Sequence, residues 1–314
     1  MIKNPVIVIL GPTASGKSSL AVEMALKFNG EIISADSRQV YKGMEIGTGK
    51  ITTAEMKGVK HHLLDIANPV SERLTVAKWK TESEEAIEEI LSHDHLPIIC
   101  GGTGFYISNL VNDFSLPDLN INIDEQIKLE KELEQKSEEE LFTELIGIDE
   151  RRANEIDRKN KRRLIKAVIL GRIHGKIPEV KKVANDKYKY LQIGLTLPDE
   201  ILKERIYKRL ITRFKEGMVA EVRGLHDRGL SFERMEEFGL EYKYIAKFLK
   251  GEIKTEKELV EILNNKIWQY VRRQRTWWRN PKDEMNKDIK WFRHDIAENV
   301  LKIEGEIARF LSDF

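Results

Sequence analysis

The chain has 314 residues, 41% hydrophobic and 33% charged, with a net charge of +1. This composition supports a folded core and excludes a disordered chain, and a near-neutral charge confines any nucleic-acid surface to a local patch. A single cysteine, Cys100, excludes intrachain disulfides and cysteine-rich zinc sites, and it follows apolar residues that predict a buried strand. Without an apolar run of about 18 residues or a leader pattern, we expect a cytoplasmic protein with no membrane segment.

The first hundred residues alternate short apolar runs with helical patterns. Strands are predicted at 6–10, 31–34 and 96–100, with a helix ending near Phe28 and another at 77–93. Strands that alternate with helices are typical of a parallel sheet covered by helices. The sequence therefore predicts an α/β fold for this part of the chain.

Beyond Phe114 the composition changes. Residues 124–150 are typical of exposed helices. The segment 151–189 carries 14 lysines and arginines against four acidic residues. Such an imbalance favours an anionic partner, although a solvated helix face is the alternative interpretation.

A strand is predicted at 190–197, followed by helices at 198–215, 218–227, 240–250 and 255–279. We therefore predict an α/β core with a helical C-terminal part at 1–114 and 186–314. A helical insertion is predicted at 115–185.

The segment between the first strand and the first helix matches the phosphate-loop pattern G-x-x-x-x-G-K-[ST]. Its expected diphosphate-binding residues are Gly11, Thr13, Ala14, Ser15, Gly16, Lys17 and Ser18. Backbone N–H groups and the Lys17 ammonium suit diphosphate oxygens, and the Ser18 hydroxyl suits Mg²⁺. Together with the sheet, the loop predicts a P-loop NTPase-like fold. It indicates a diphosphate rather than ATP as such, and no apolar run ending in Asp supports an ATPase.

Two further strand ends carry polar side chains. Asp36 follows the second strand, where a carboxylate is placed to accept a proton or to hold Mg²⁺ through water. Its alternative role is to cap the next helix. Thr103 lies in a run of three glycines after the third strand, which permits a close approach of backbone to ligand. A tight turn explains that run equally well.

Together these segments resemble the tRNA dimethylallyltransferases. The similar stretches are Gly-Pro-Thr-Ala-Ser-Gly-Lys-Ser (11–18), Ile-Ser-Ala-Asp-Ser-Arg-Gln-Val-Tyr (33–41), 43–50, 58–65, Gly-Gly-Thr-Gly-Phe-Tyr-Ile (101–107), 160–167, 205–209, 221–222 and 272–279. They run in the family's order across nearly the whole chain. This joint pattern is far more specific than the phosphate loop alone.

The resemblance implies transfer of a dimethylallyl group from dimethylallyl diphosphate to N6 of adenosine 37 in tRNA. Asp36 is similar to the family's general base, and Thr103 to the residue that hydrogen-bonds the bridging oxygen of the leaving diphosphate. Arg205 and Arg209 would hold the diphosphate together with Lys17, and Mg²⁺ would bind at Ser18. The two arginines share one helix face by their spacing of four residues.

The resemblance also implies binding of the anticodon stem-loop, with a flipped base in a channel between core and insertion. We expect the protein to be a monomer. The expected tRNA-binding residues are Asp36, Ser37, Arg38, Gln39, Arg162, Arg163, Lys166, Arg272, Arg273, Gln274, Trp277 and Arg279. Aromatic residues among arginines suit stacking and phosphate contact. For at least one of Trp277 and Trp278, core packing is the expected role.

Several positions depart from the family pattern. Glu45 and Gly49 stand where Asp and Ala are usual, and Lys166 replaces an Arg. Arg213 replaces a Met, for which the sequence offers no reason. Residues 238–242 read Phe-Gly-Leu-Glu-Tyr in place of Ile-Gly-Tyr-Lys-Glu, which puts the contacts near Gly239 in doubt.

Three other functions remain open at this point. A small-molecule P-loop kinase shares the loop and the sheet but has no use for the basic insertion. An adenylate prenyltransferase shares the chemistry but accepts a free nucleotide. An RNA-binding module with a relict phosphate loop would not need Lys17, Asp36 and Thr103 intact.

Overall fold

A computed structural model of the chain, which describes residues 3–114, 123–179 and 187–314, contains a parallel sheet in the order β3-β2-β4-β1-β5-β6. Its strands are β1 (Asn4–Leu10), β2 (Gly30–Ala35), β3 (His61–His62), β4 (Leu96–Gly101), β5 (Tyr188–Thr196) and β6 (Lys290–Arg293). The four predicted strands are confirmed as β1, β2, β4 and β5. The short strands at the two edges, β3 and β6, were not predicted.

The β1 strand shows why the central strands of the sheet appear in the sequence as continuous apolar runs. Val6, Val8 and Leu10 pack into the core on one face of the sheet, whereas Ile7 and Ile9 pack into the core on the other face. Successive side chains of a strand point to opposite faces, and helices cover both faces here. Every residue in the run is therefore buried.

Helices make up most of the remaining structure. They are α1 (Lys17–Lys27), α2 (Thr53–Met56), α3 (Val76–Ser92), α4 (Gly104–Val111), α5 (Ile123–Glu134), α6 (Glu138–Ile148), α7 (Glu150–Glu155), α8 (Lys161–His174), α9 (Asp199–Lys215), α10 (Met218–Asp227), α11 (Phe232–Phe238), α12 (Leu240–Leu249), α13 (Glu256–Trp278) and α14 (Ala297–Leu311). A short 3-10 helix spans Glu284–Asp288. The long α13 helix begins where the Thr255 hydroxyl accepts a hydrogen bond from the Glu258 N–H, 3.1 Å away, as an N-cap does.

The chain divides into two compact units. The first contains Met1–Asp113 and Ala184–Phe314, and the second contains Phe114–Val183. The second unit has its own core, in which Leu141, Leu164 and Val168 are fully buried. The predicted insertion ends, 115 and 185, lie outside the described residues, as does part of the basic segment at 180–186. No helix in the described parts of the chain combines the length and the apolar composition needed to cross a lipid bilayer.

Candidate active site

The phosphate loop connects β1 to α1, as predicted. Gly11 has a φ of +142°, and a Cβ atom there would lie 2.5 Å from the Leu195 carbonyl oxygen, so only glycine fits. Lys17 Nζ donates to the Pro12 carbonyl oxygen at 2.7 Å. The Ser15 hydroxyl is buried and has no hydrogen-bond partner among the described residues. A buried, unpaired hydroxyl beside a lysine at a helix N-terminus is suited to an anionic ligand.

A cavity of about 1260 Å³ lies at the carboxyl ends of the central strands. Its walls bring together Lys17 of the phosphate loop, Asp36 after β2, Gly102 after β4, Arg209 on α9 and Gln274 on α13. These residues come from widely separated parts of the first unit. The carboxyl ends of parallel strands are where ligands bind in α/β sheets.

Uncompensated positive charge concentrates around the phosphate loop. Desolvation lowers the Lys17 pKa to about 8, with the nearby Arg209 adding to the effect. Desolvation and the neighbouring Arg213 lower the Arg209 pKa to about 9. Arg209 also donates from Nη2 to the Thr13 hydroxyl, whereas Arg205 lines the same cavity but is exposed. Cations whose charged forms are disfavoured in this way gain the most from a bound anion.

Asp36 and Thr103 lie close together at the ends of β2 and β4. Asp36 Oδ1 accepts the N–H groups of Arg38 at 2.9 Å and Gln39 at 3.4 Å. One oxygen of this carboxylate therefore has a capping role, but the segment that it caps is the turn at 37–40 and not a helix. The Ser37 N–H, next in the chain, donates to the Thr103 hydroxyl oxygen at 3.1 Å. This bond leaves the hydrogen of the Thr103 hydroxyl available for donation to another group.

The other residues after β2 also face the cavity. Ser37, Arg38 and Gln39 line it, and the Gln39 side-chain amide donates to the Gly49 carbonyl oxygen at 3.2 Å. The Arg38 guanidinium lies 5.5 Å from the Phe238 ring centroid, and burial lowers its pKa. The predicted flipped-base segment is thus held in place by its own side chains.

Gln274, one of the predicted RNA contacts, is held by hydrogen bonds inside the protein. Its side chain is only 6% exposed. Its Oε1 accepts the Thr13 N–H at 2.9 Å, and its Nε2 donates to the Gly102 carbonyl oxygen at 2.9 Å. Both the oxygen and the nitrogen of the amide therefore bond inside the protein, while the side chain also borders the cavity, and its contact with RNA stays a prediction.

The remaining predicted residues on α13 lie at the surface. Arg272, Arg273 and Arg279 are exposed, and Arg273 also lines the cavity. Trp277 is 37% exposed, and its ring meets Phe105 edge to face with centroids 6.1 Å apart. Trp278 is 2% exposed, which confirms core packing for one of the two tryptophans.

The predicted basic residues of the insertion lie on α8 in the second unit. Arg162, Arg163 and Lys166 are exposed in the first turns of this helix, whereas Leu164 and Ile165 between them are buried. The α8 helix begins at Asn160, whose side chain accepts the Arg163 N–H at 3.1 Å. An amphipathic helix thus presents one cationic face.

Three of the departures from the family pattern pack against each other. Arg213 Nη1 lies 3.2 Å from Glu241 Oε1, and both side chains are buried. Gly49 has a φ of +60°, and a Cβ atom there would lie 1.4 Å from Arg213 Nη2. Only glycine at this position leaves room for the guanidinium. The ion pair therefore accounts for Arg213, which the sequence alone left unexplained.

Glu221 is a structural element of the site that sequence reasoning gave no role. Its Oε2 accepts the N–H groups of Glu45 and Ile46 at 2.9 and 2.6 Å, and its Oε1 accepts that of Gly47 at 3.0 Å. The Tyr242 hydroxyl donates to the same carboxylate at 2.8 Å. One carboxylate thus anchors the cavity-lining segment 45–47. The only available signal was the similarity at 221–222.

The fold and this cavity define a P-loop α/β protein with a cationic ligand site. The profile of the IPP transferase family matches residues 39–281, and the chain belongs to this family. A tRNA dimethylallyltransferase 2 of Treponema denticola is 39% identical over 280 residues, which cover 88% of this chain and 92% of the relative. The tRNA dimethylallyltransferase of Acetivibrio thermocellus is 37% identical over 313 residues, 98% of both chains.

Solved structures agree with this assignment. The tRNA isopentenylpyrophosphate transferase of Bacillus halodurans superimposes with a TM-score of 0.72 at 34% identity, covering 99% of this chain and 98% of that one. A eukaryotic dimethylallyltransferase acting on tRNA gives a TM-score of 0.77 at 26% identity, covering 93% of this chain and 74% of that one. The predicted P-loop NTPase-like fold is confirmed.

Proposed function

We propose that this chain transfers the dimethylallyl group of dimethylallyl diphosphate to N6 of adenosine 37 in tRNA and releases diphosphate. The observation that carries the proposal is the cavity that joins the Lys17 phosphate loop, which follows β1, to Asp36, which follows β2. Membership of the IPP transferase family and the names of the relatives support the same reaction.

The diphosphate of the donor binds at the phosphate loop. Lys17 and Arg209 have pKa values lowered to about 8 and about 9, so a polyanion between them stabilises their charged forms. The Ser15 hydroxyl gains a partner in the same place. Arg205 adds a positive charge from the exposed side of the cavity.

The oxygen ligands available near the phosphate loop suit a magnesium ion. No group of three or more metal-ligating His, Cys, Asp or Glu side chains exists within the described ranges. Mg²⁺ prefers oxygen ligands and keeps several waters, so the Ser18 hydroxyl and substrate phosphate oxygens would hold it, with Asp36 reached through water. When bound, the ion neutralises charge on the diphosphate oxygens.

Thr103 stabilises the leaving group. Since its hydroxyl oxygen accepts the Ser37 N–H, its hydrogen is directed to another acceptor. That acceptor is the bridging oxygen of the donor, which gains negative charge as the bond to C1 breaks. A preorganised donor at such an oxygen contributes about 10²–10³ in rate.

Asp36 removes the proton from N6. Bonds from the Arg38 and Gln39 N–H groups hold Oδ1, so the carboxylate has a fixed orientation and Oδ2 serves as the base. The N6–C1 bond forms as the C1–O bond breaks. The electron pair of that bond leaves with diphosphate, and the N6 proton goes to Asp36.

The acceptor is the anticodon stem-loop of a tRNA, bound by a monomeric enzyme. Support comes from the exposed cationic residues on two helices, Arg162, Arg163, Lys166, Arg272, Arg273 and Arg279, and from the exposed ring of Trp277. The segment Ser37 to Gln39 lines the cavity that would receive the flipped base.

Mass analysis of unmodified tRNA incubated with the protein, Mg²⁺ and dimethylallyl diphosphate tests the proposal. We expect one dimethylallyl group on adenosine 37, no product with AMP as acceptor, and no consumption of ATP. The Asp36→Ala variant should lose nearly all transfer while tRNA still binds. Full transfer by that variant would remove the base role, and cleavage of ATP instead of the prenyl donor would overturn the function itself.

A further inference from the structure

One buried side chain connects the phosphate loop to the loop after β4. Gln274 is separated by 261 residues from Thr13 and by 172 residues from Gly102, yet it bonds to the backbone of both. Both bonds are 2.9 Å long, the usual length for an amide. The side chain is 6% exposed, so water does not compete effectively for either bond.

Each bond of Gln274 ends beside a group of the proposed active site. At one end, the Thr13 hydroxyl accepts from Arg209, which is one of the two half-buried cations proposed to bind the diphosphate. At the other end, Gly102 immediately precedes Thr103, whose N–H donates to the Ala35 carbonyl oxygen at 3.2 Å. The amide of Gln274 therefore sets the distance between the phosphate loop and the Thr103 hydroxyl.

The packing around Gly102 shows how close this approach is. A Cβ atom on Gly102 would lie 2.5 Å from Gln274 Nε2 and 3.3 Å from the Gly11 carbonyl oxygen. The backbones of the two loops are thus nearly in contact, with the amide of Gln274 between them. Only a group with one acceptor and one donor satisfies the Thr13 N–H and the Gly102 C=O together.

We propose that Gln274 is a positioning residue that fixes the relative position of the two loops. Lys17 and Arg209 then bind the diphosphate of one prenyl donor while its bridging oxygen faces Thr103. This inference rests on the proposed function. In this role Gln274 acts through its bonds to Thr13 and Gly102. Displacement of a catalytic group by about 1 Å costs about 10²-fold in rate.

The first test is Gln274→Met, which keeps the length of the side chain and removes both hydrogen bonds. We expect kcat to fall at least about tenfold, because Thr103 loses its register with the diphosphate. The Kd for inorganic pyrophosphate should change less than about threefold, because Lys17, Arg209 and Ser15 remain in place. A kcat equal to that of wild type would overturn the inference.

The second test is Gln274→Glu, which provides a pH signature. The ionised carboxylate keeps an acceptor for the Thr13 N–H but has no donor for the Gly102 C=O. The protonated carboxyl has both, so the ratio of wild-type kcat to variant kcat should shrink as the pH falls. A ratio that stays constant with pH contradicts the positioning role, even if Gln274→Met fails to fold.

Gln192→Met is the matched control. Gln192 is also a buried glutamine, on β5, and its Nε2 donates to the Met285 carbonyl oxygen at 3.2 Å, away from both loops. It should lose stability with an unchanged kcat per folded molecule. A wild-type protein that transfers no prenyl group to tRNA would defeat the proposed function. A wild-type protein that is active, with Gln274 variants that match it, would defeat this inference alone.

Discussion

Replacing Arg213 with methionine should lower the free energy of unfolding, because it leaves a buried charge without its ion-pair partner. Arg213 and Glu241 are 5% and 9% exposed, and their atoms meet at 3.2 Å. Methionine fills similar space but leaves the Glu241 carboxylate without a cation. Removing one partner of a buried ion pair costs about 3–5 kcal/mol of unfolding free energy.

This cost should depend on pH. Burial raises the pKa of Glu241 above its ordinary value even though Arg213 opposes the shift, and removing Arg213 raises it further. Above the pKa of the unfolded chain, the native state then binds more protons than the unfolded state, so stability falls as the pH rises towards the native pKa. The fall amounts to at most about 1.4 kcal/mol per pH unit in that window. The variant should therefore be closest to wild type near pH 4.

Gly49→Ala provides an independent measurement of the same contact. Its Cβ atom would overlap the Arg213 guanidinium, and its positive φ costs about 1–2 kcal/mol for any side chain. In the Arg213→Met background the overlap is gone and only the backbone cost remains. We expect a coupling free energy of about 1–3 kcal/mol between the two substitutions.

Urea unfolding followed by tryptophan fluorescence at pH 4.5 and 7.5 measures these free energies. Adding Glu241→Gln to Arg213→Met should recover most of the loss at pH 7.5, because the unpaired buried carboxylate is then removed. Equal stability of Arg213→Met and wild type at pH 7.5 would refute the reasoning. Strictly additive effects of Gly49→Ala and Arg213→Met would refute the packing contact.

Three further outcomes are expected. Because the Lys17 pKa is lowered to about 8, the charge of Lys17 is present below that pH and lost above it. The affinity for pyrophosphate, measured by calorimetry, should therefore weaken from about pH 7 to about pH 9.5. Arg163→Ala should reduce the slope of log tRNA affinity against log salt concentration by about 1, and an unchanged slope would argue against a phosphate contact. Glu221→Gln weakens an acceptor that receives four hydrogen bonds and should lower the free energy of unfolding by about 1.5–3 kcal/mol. Tyr242→Phe removes only one of those donors and should lower it by about 1 kcal/mol. Urea unfolding measures both.

Parts of the site that lie close together in the chain were predictable. The phosphate loop follows β1 directly, and Lys17 begins α1, so a local pattern defined both the loop and its neighbours. Arg205 and Arg209 share a helix face because the helical period is 3.6 residues. The strands β1, β2, β4 and β5 were predictable because burial on both faces produces continuous apolar runs.

Edge strands gave a weaker signal. β3 contains two residues, and the two ends of β6, Lys290 and Arg293, are exposed. Neither strand therefore shows an apolar run or a regular alternation. Their pairing is decided by neighbouring strands that come from distant parts of the chain.

The amino-acid sequence by itself determined the α/β class, the anion-binding loop and the identity of the chemical groups, since each depends on residues a few positions apart. Tertiary structure alone decided that Gln274 faces inward to join two loops and that Arg213 pairs with Glu241 next to Gly49. It also decided that Trp278 packs into the core while Trp277 remains exposed. Those contacts join residues 28 to 261 positions apart or depend on how a helix rotates against the core. Local propensity contains no information about such distances, because packing of the whole core sets them.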